Sequence, residues 1–206
     1  MGFTVGMALV DFVPVIAFAV AAVIFQRDLY NKMSKGAFAL YAAGTIIVIV
    51  AGACKALWKL LFAAGICDFY KLNDMFFPMQ SLGFPLIAIG IVGMFCFDQN
   101  EKSQKTLAVE PFTGTMIFVA LTIAGVVAIN TCYCILAKKL KKSWTMILFI
   151  LALVGSLAMG YLSTKDFADP AMNWIAEIVN TVAQGCLMAG AIILHKAGLK
   201  DLQLKK

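Results

Sequence analysis

Four polar side chains in the last hydrophobic segment of the chain are spaced so that they share one face of a helix. They are Asn173, Glu177, Asn180 and Gln184, which follow one another at intervals of four, three and four residues. A carboxylate in mid-membrane costs about 2 kcal/mol or more unless a partner compensates it. Glu177 could carry a proton or bind a cationic or hydroxyl-bearing solute, and the neighbouring amides offer donors and acceptors. The stripe predicts a polar cavity or pathway; the alternative is hydrogen bonding that only holds this helix to its neighbours.

Ionisable side chains are rare in the other hydrophobic segments, and two of them are expected to pair. Asp11 lies in the first segment and Lys55 at the end of the second. Since consecutive spanning helices run in opposite directions, both residues fall in the same half of a membrane and can form an ion pair. Alternatively, a lysine near the end of a span reaches water without a partner. Lys59 follows Trp58, which is typical of an anchor at the membrane interface.

The composition is that of an all-α, polytopic integral membrane protein. Of the 206 residues, 62% are hydrophobic and only 14% are charged. A spanning helix needs about 20 mostly apolar residues. Six stretches qualify, at about 4–26, 36–54, 77–97, 113–137, 144–163 and 170–195. They leave no room for a separate soluble domain, so residues 1–206 are expected to form a single transmembrane bundle.

The positions of the 17 basic residues predict an orientation in the cell membrane. With six spans, the termini, the second-to-third loop and the fourth-to-fifth loop share one side, which holds Lys55, Lys59, Lys71, Lys138, Lys139, Lys141, Lys142, Lys196, Lys200, Lys205 and Lys206. The positive-inside rule therefore places both termini in the cytoplasm. Glu177 then lies near the outer face, where only Arg27, Lys35 or Lys165 could reach it. The net charge of +6 fits attraction to anionic lipid head groups, and no pattern indicates nucleic acid.

The sequence contains a weak internal repeat that pairs residues 1–105 with residues 106–206. At an offset of 100 residues, the third span matches the sixth through Asn73 with Asn173, Gln80 with Asn180, and Ser81 with Thr181. Because three spans is an odd number, the second half would enter the membrane from the opposite side. This predicts inverted repeats with a site near the midplane, where Gln80 and Ser81 join the stripe. The alternative is that all six helices only share the small residues that close packing requires.

Glycines and prolines inside the spans indicate where helices pack closely or break. Gly44, Gly52 and Gly160 are expected to be packing residues whether or not the repeat is real. Pro14 and Pro85 cannot donate to the carbonyl four residues earlier, so each predicts a disturbance of its helix. Discontinuous helices often line transporter sites, although kinks can also serve packing alone.

Other kinds of chemistry find little support in the sequence. Most of the six cysteines fall inside apolar spans, where cysteine acts as a small hydrophobic residue. His195 is the single histidine, which argues against a histidine-rich metal site or bis-histidine haem. We find no catalytic pairing of serine with lysine or of two aspartates, and no phosphate-binding glycine loop. The sequence therefore predicts no enzyme, no metal and no cofactor.

These observations favour a small transporter or channel-like permease for a small polar solute or ion, with the third and sixth spans lining the route. A second hypothesis is a membrane-embedded binding subunit that passes a micronutrient to an energising partner. In size, topology and the alanines of its first span, Ala17 and Ala21, the chain resembles the substrate-binding components of energy-coupling-factor transporters. A non-catalytic membrane scaffold is a third. Membrane lipid is the expected surrounding, and homo-oligomers are compatible with the small-residue faces.

Overall fold

The chain folds into a helical bundle, seen in a computed structural model that describes residues 4–96, 115–162 and 170–204. Throughout these residues the regular structure is helical, and six spans are long and apolar enough to cross a membrane. The helices are α1 (Val5–Val10), α2 (Phe12–Leu29), α3 (Lys35–Ala63), α4 (Lys71–Asp74), α5 (Phe76–Cys96), α6 (Thr115–Lys139), α7 (Met146–Leu162) and α8 (Pro170–Lys196). The six predicted helices are thus confirmed, with α1 and α2 forming the first span and α4 and α5 the third.

The first span is interrupted at Asp11, as the proline that follows predicts. Helix α1 ends at Val10 and α2 begins at Phe12. Pro14 has no N–H for the carbonyl of Val10, which weakens the helix at this point. Pro85 has no such effect, because α5 continues through it from Phe76 to Cys96. Of the two prolines, only Pro14 therefore lies beside a break.

The six spans form a closed ring of neighbours. Helix α2 packs on α3, α3 on α5, α5 on α6, α6 on α7, α7 on α8, and α8 again on α2. Helices α3 and α5 approach each other closely, since a Cβ on Gly44 would lie 2.6 Å from the carbonyl oxygen of Gly83. A Cβ on Gly90 would likewise lie 2.6 Å from the carbonyl oxygen of Ala37. Glycine permits this approach because it has no side chain.

The first and last spans run in the same direction. Near their beginnings, Asp11 and Glu177 share the ammonium group of Lys59. Near their ends, Nη2 of Arg27 lies 2.9 Å from the ring nitrogens of His195. We call these two ends of the bundle the Glu177 end and the His195 end.

Helices α5 and α6 are also parallel. Gly125 packs on Phe84, and further along both helices Tyr133 meets Tyr41, which lies against Gly90. Helix α5 thus ends at the His195 end, whereas α6 begins at the Glu177 end.

The two halves of the bundle consequently have the same orientation, and the expected inverted repeat is wrong for the described residues. Helices α2, α3 and α5 correspond in direction and in neighbours to α6, α7 and α8. Corresponding helices that run the same way fit a parallel rather than an inverted arrangement of the two halves. The expectation assumed that every helix runs opposite to the one before it, whereas α5 and α6 run in the same direction. The proposed boundary between residues 105 and 106 lies outside the described residues.

The two ends of the described chain lie at opposite ends of the bundle. Helix α1 begins at the Glu177 end, whereas Leu199–Asp201, a 3-10 turn after α8, packs on the end of α2. Lys32 fixes this turn by donating from Nζ to the carbonyl oxygens of Lys200 and Leu202, at 2.8 and 2.7 Å. This arrangement contradicts the prediction that both termini lie on the same side.

The predictions for small packing residues are confirmed only in part. Gly44 packs on α5. Gly52 lies against Val15, since a Cβ on Gly52 would be 3.0 Å from Cγ2 of Val15. At Gly160, a Cβ would have no heavy atom of the described residues within 4 Å, so the expected close approach of a neighbouring helix is not seen there. Among the cysteines Cys132 is buried, whereas Cys67, at the Glu177 end, is exposed.

Candidate functional site

A buried group of three charged side chains lies at the Glu177 end. Nζ of Lys59 is 2.6 Å from Oδ2 of Asp11 and donates to Oε1 of Glu177 at 2.9 Å. Each of these side chains is less than one-tenth exposed. We call Asp11, Lys59 and Glu177 the ion triad. Its three members come from the helix break, from the last turns of α3 and from the second turn of α8.

The ion triad corrects three predictions. Asp11 pairs with Lys59 rather than with Lys55, Lys59 is buried rather than anchored at an interface, and Glu177 has a partner. One reason is that α3 extends to Ala63, so Lys59 lies inside the helix. Another is that α8 is parallel to α2, which brings Glu177 to Asp11. Lys165, one of the partners considered for Glu177, lies outside the described residues.

Lys55 lies one helical turn before Lys59 and has a different environment. Its Nζ is 4.2 Å from the centre of the Phe76 ring, a cation–π distance. Among the described residues, no carboxylate lies within ion-pair distance of Lys55. The ammonium group of Lys55 therefore has no carboxylate in direct contact within the described part of the chain.

A cavity of about 390 Å³ brings these charges together with most of the predicted polar residues. Its volume is within the range of small-molecule sites, and every one of the six spans contributes to its wall. We call it the large cavity. Its charged and carboxamide lining residues are Asp11, Lys55, Lys59, Asn73, Gln80, Asn173, Glu177, Asn180 and Gln184.

Ser81 is the one predicted site residue that does not line the large cavity. Its side chain is buried, and its hydroxyl donates to the carbonyl oxygen of Pro78 at 2.8 Å. Ser81 is directed into the packing of α5 instead, so the structure does not bring it together with the other predicted site residues.

Several carboxamides of the large cavity are available to a ligand. Within the described residues, the side chains of Gln80, Asn180 and Gln184 form no hydrogen bond to the protein, and all three are half-buried. A carboxamide offers two donors and an acceptor. These side chains are therefore not helix-packing glue in this structure, because glue requires a partner on a neighbouring helix.

Two aromatic residues that line the large cavity, Trp58 and Tyr70, were not among the predicted site residues. Trp58 donates from Nε1 to Oδ1 of Asp68 at 2.9 Å, and its ring meets Tyr70 edge to face, with centroids 5.4 Å apart. These contacts hold the connection between α3 and α5 beside the cavity. Lys59 was also absent from the predicted site residues, although the sequence contained a clue to its role. It follows Lys55 by four residues, and this spacing places both lysines on one face of α3.

A second, small cavity of about 30 Å³ lies deeper in the bundle. Phe18, Phe84 and Gln184 line both cavities, so they mark the boundary between the two. Asn130 also lines the small cavity, and its Oδ1 is buried without a hydrogen-bond partner. The small cavity is lined mainly by apolar side chains, and Asn130 is one of its few polar lining residues. Its volume is large enough for one water molecule beside that amide.

An aromatic layer closes the bundle beyond the small cavity. Phe25 stacks on Tyr133 with ring centroids 4.0 Å apart, and Phe149 packs on both rings. The hydroxyls of Tyr41 and Tyr133 form a buried hydrogen bond of 2.6 Å. At the His195 end, Nδ1 of His195 lies 2.8 Å from Oδ2 of Asp28. The large cavity is thus separated from the His195 end by packed side chains.

Among residues 4–96, 115–162 and 170–204, no group of three or more histidine, cysteine, aspartate and glutamate side chains is arranged to hold a metal ion. The site consists instead of one charged triad, one further lysine and a set of carboxamides. Such a wall can bind a polar solute by hydrogen bonds and by charge.

No protein-family model, no curated protein and no solved structure matches this chain. The site geometry is therefore the basis on which a function can be proposed.

Proposed function

We propose that this chain is an integral membrane protein, a small permease that binds a polar solute in the large cavity. Membrane insertion is supported by the outer surface of the bundle, which exposes large apolar residues on several spans, including Ile16, Val23, Ile147 and Ile178. An apolar surface of this extent is typical of contact with lipid. The six spans are also the length that a bilayer requires.

The observation that carries the proposal is the polar lining of a cavity enclosed by six apolar helices. Charged side chains inside a membrane protein are costly and usually mark a substrate or ion pathway. The half-buried amides of Gln80, Asn180 and Gln184 add donors and acceptors that the protein itself leaves unused. A small polar solute would satisfy them.

We infer that the large cavity faces away from the cytoplasm. At the Glu177 end, the basic residues in the described part of the chain are Lys71 and the two cavity lysines, Lys55 and Lys59. The His195 end carries the other nine, namely Arg27, Lys32, Lys35, Lys138, Lys139, Lys141, Lys142, Lys196 and Lys200. By the positive-inside rule the His195 end is cytoplasmic. The N-terminus would then be outside and the C-terminus inside.

Solute binding can be tested by measuring the thermal stability of purified protein against a panel of amino acids, betaines, polyols, polyamines and inorganic ions. A bound solute raises the melting temperature by mass action. Asn180→Ala should abolish the shift, because its amide lines the cavity and has no protein partner. Ser81→Ala is the matched control, since Ser81 lies outside the cavity. If no solute in the panel shifts the melting temperature, or if both variants respond alike, the binding role is wrong.

A capture role without transport is the second candidate, and the aromatic layer favours it. Phe25, Tyr133 and Phe149 pack against one another between the large cavity and the His195 end. A binding subunit would keep such a floor closed until an energising partner acts on it. Uptake of the bound solute into liposomes by the protein alone supports the permease. Binding without uptake supports the capture subunit.

A further inference from the structure

We propose that the large cavity binds a zwitterionic solute, one that carries an ammonium and a carboxylate group a few ångströms apart. This assignment rests on the proposed solute-binding role of the cavity and names the class of solute. The relevant ligands are α-amino acids and betaines. The inference follows from two oppositely charged poles in the same cavity wall.

The ion triad is the negative pole. It contains two carboxylates, Asp11 and Glu177, around the single ammonium group of Lys59. Two carboxyl groups therefore face one ammonium group, so the triad has more acceptor oxygens than Lys59 can satisfy. Within the described residues, Oδ1 of Asp11 is buried and accepts no hydrogen bond. A second ammonium group, supplied by a solute, would fill this acceptor position and add a counter-charge.

Lys55 is the positive pole. It lines the same cavity, contacts the face of Phe76, and has no carboxylate within ion-pair distance among the described residues. Four residues along α3 separate it from Lys59, a rise of about 6 Å. A bound amino acid needs a similar spacing between its two partners on the protein, because its ammonium and carboxylate groups are a few ångströms apart and each adds one contact distance. A solute carboxylate could therefore reach Lys55 while its ammonium group faces the triad.

The arrangement discriminates between charge types. A purely cationic solute would bind to the carboxyl groups of the triad but would be repelled by Lys55. A purely anionic solute would bind to Lys55 but would be repelled by those carboxyl groups. A neutral solute would leave both poles as they are. Apolar rings in the wall, such as Phe76 and Phe77, suit the hydrocarbon part of an amino acid.

The test uses thermal shifts and calorimetric affinities of the purified full chain with three matched sets of probes. These are amino acids with apolar side chains, their methyl esters, which are cationic, and their N-acetyl derivatives, which are anionic. At least one amino acid should bind, and its ester and N-acetyl derivative should bind about tenfold more weakly or worse, since each loses a charged hydrogen-bonding partner. If the derivatives bind as well as the amino acid, or if no amino acid or betaine binds, the proposal is wrong.

Lys55 variants assign the effect to the positive pole. Lys55→Gln should weaken the amino acid about tenfold while sparing its methyl ester, and Lys55→Arg should restore binding. Lys71→Gln is the control at the same end, because Lys71 does not line the cavity. Equal loss of ester and amino acid in Lys55→Gln would contradict a role in binding the carboxylate. A polyol or inorganic ion that binds through Asn180, with no amino acid or betaine bound, would preserve the proposed function and overturn the zwitterion assignment.

Discussion

Lys59 and Glu177 are 118 residues apart in the sequence, yet Nζ of the lysine donates to Oε1 of the glutamate at 2.9 Å. This contact joins the end of α3 to the beginning of α8. The same ammonium group also holds Asp11. The ion triad therefore links three spans in the wall of the large cavity, and it can be tested without knowledge of the solute.

Lys59→Met should be strongly destabilising. The substitution leaves two buried carboxylates without their shared counter-charge, and breaking a buried pair in this way costs about 3–5 kcal/mol. The melting temperature in detergent measures the effect. Lys71→Met serves as the control, because Lys71 is exposed at the same end of the bundle. A Lys59→Met protein that melts like the wild type would mean that the triad is not formed.

Removing the charges of Asp11 and Glu177 should recover part of the stability that Lys59→Met loses. In the background Asp11→Asn with Glu177→Gln, adding Lys59→Met should cost less than it does in the wild type, because no unpaired charge remains. The difference between the two costs is the coupling energy, and direct contacts of this kind give about 0.5–3 kcal/mol. Additive effects would indicate that Lys59 does not contact these carboxylates.

Gly90→Ala should destabilise the bundle by about 1–3 kcal/mol through overpacking. The new Cβ would lie 2.6 Å from the carbonyl oxygen of Ala37 and 2.7 Å from Cβ of Tyr41. Gly185→Ala is the matched control in α8, since a Cβ there has no heavy atom within 4 Å. It should be neutral or stabilising by up to about 1 kcal/mol, because alanine favours helix. Thermal melting of both variants decides the point, and equal destabilisation would contradict the α3–α5 packing.

The loops between α3 and α5 and between α6 and α7 should be accessible from opposite faces of the membrane. Simple alternation of six spans would place them on the same face. Cys67 in the first loop is an exposed thiol, and Lys142 in the second loop is exposed. A membrane-impermeant maleimide should label Cys67 in intact cells. It should label Lys142→Cys, in a Cys67→Ser background, only after the cells are opened.

The Cys67→Ser protein without a further substitution is the control, because it measures maleimide labelling of the remaining native cysteines. Labelling of Cys67 and of Lys142→Cys from the same face would mean that the two halves enter the membrane from opposite sides. That result would also remove the geometric basis for the contact between Lys59 and Glu177. Labelling in the reverse order, with Lys142→Cys reached from outside, would keep the fold and reverse the inferred orientation.

Run length and local spacing in the sequence determined the six apolar helices and the polar face of α8. Asn173, Glu177, Asn180 and Gln184 line one cavity because helical periodicity alone puts them on one face. Pro14 similarly predicted the break at Asp11, because a missing N–H is a local property. The shared lining by α5 and α8 also appeared in the sequence, through the match of Gln80 with Asn180.

Only the tertiary structure decided the direction of the second half and the partner of Glu177. Apolar periodicity is the same for a helix that runs toward either face, so spacing cannot distinguish a parallel from an inverted repeat. The pairing of Lys59 with Glu177 depends on which spans are neighbours and how they run. The position of Ser81 outside the cavity is a related case, since its similarity to Thr181 does not show which face of α5 meets the cavity. Packing between distant helices fixes these features, and no local pattern encodes them.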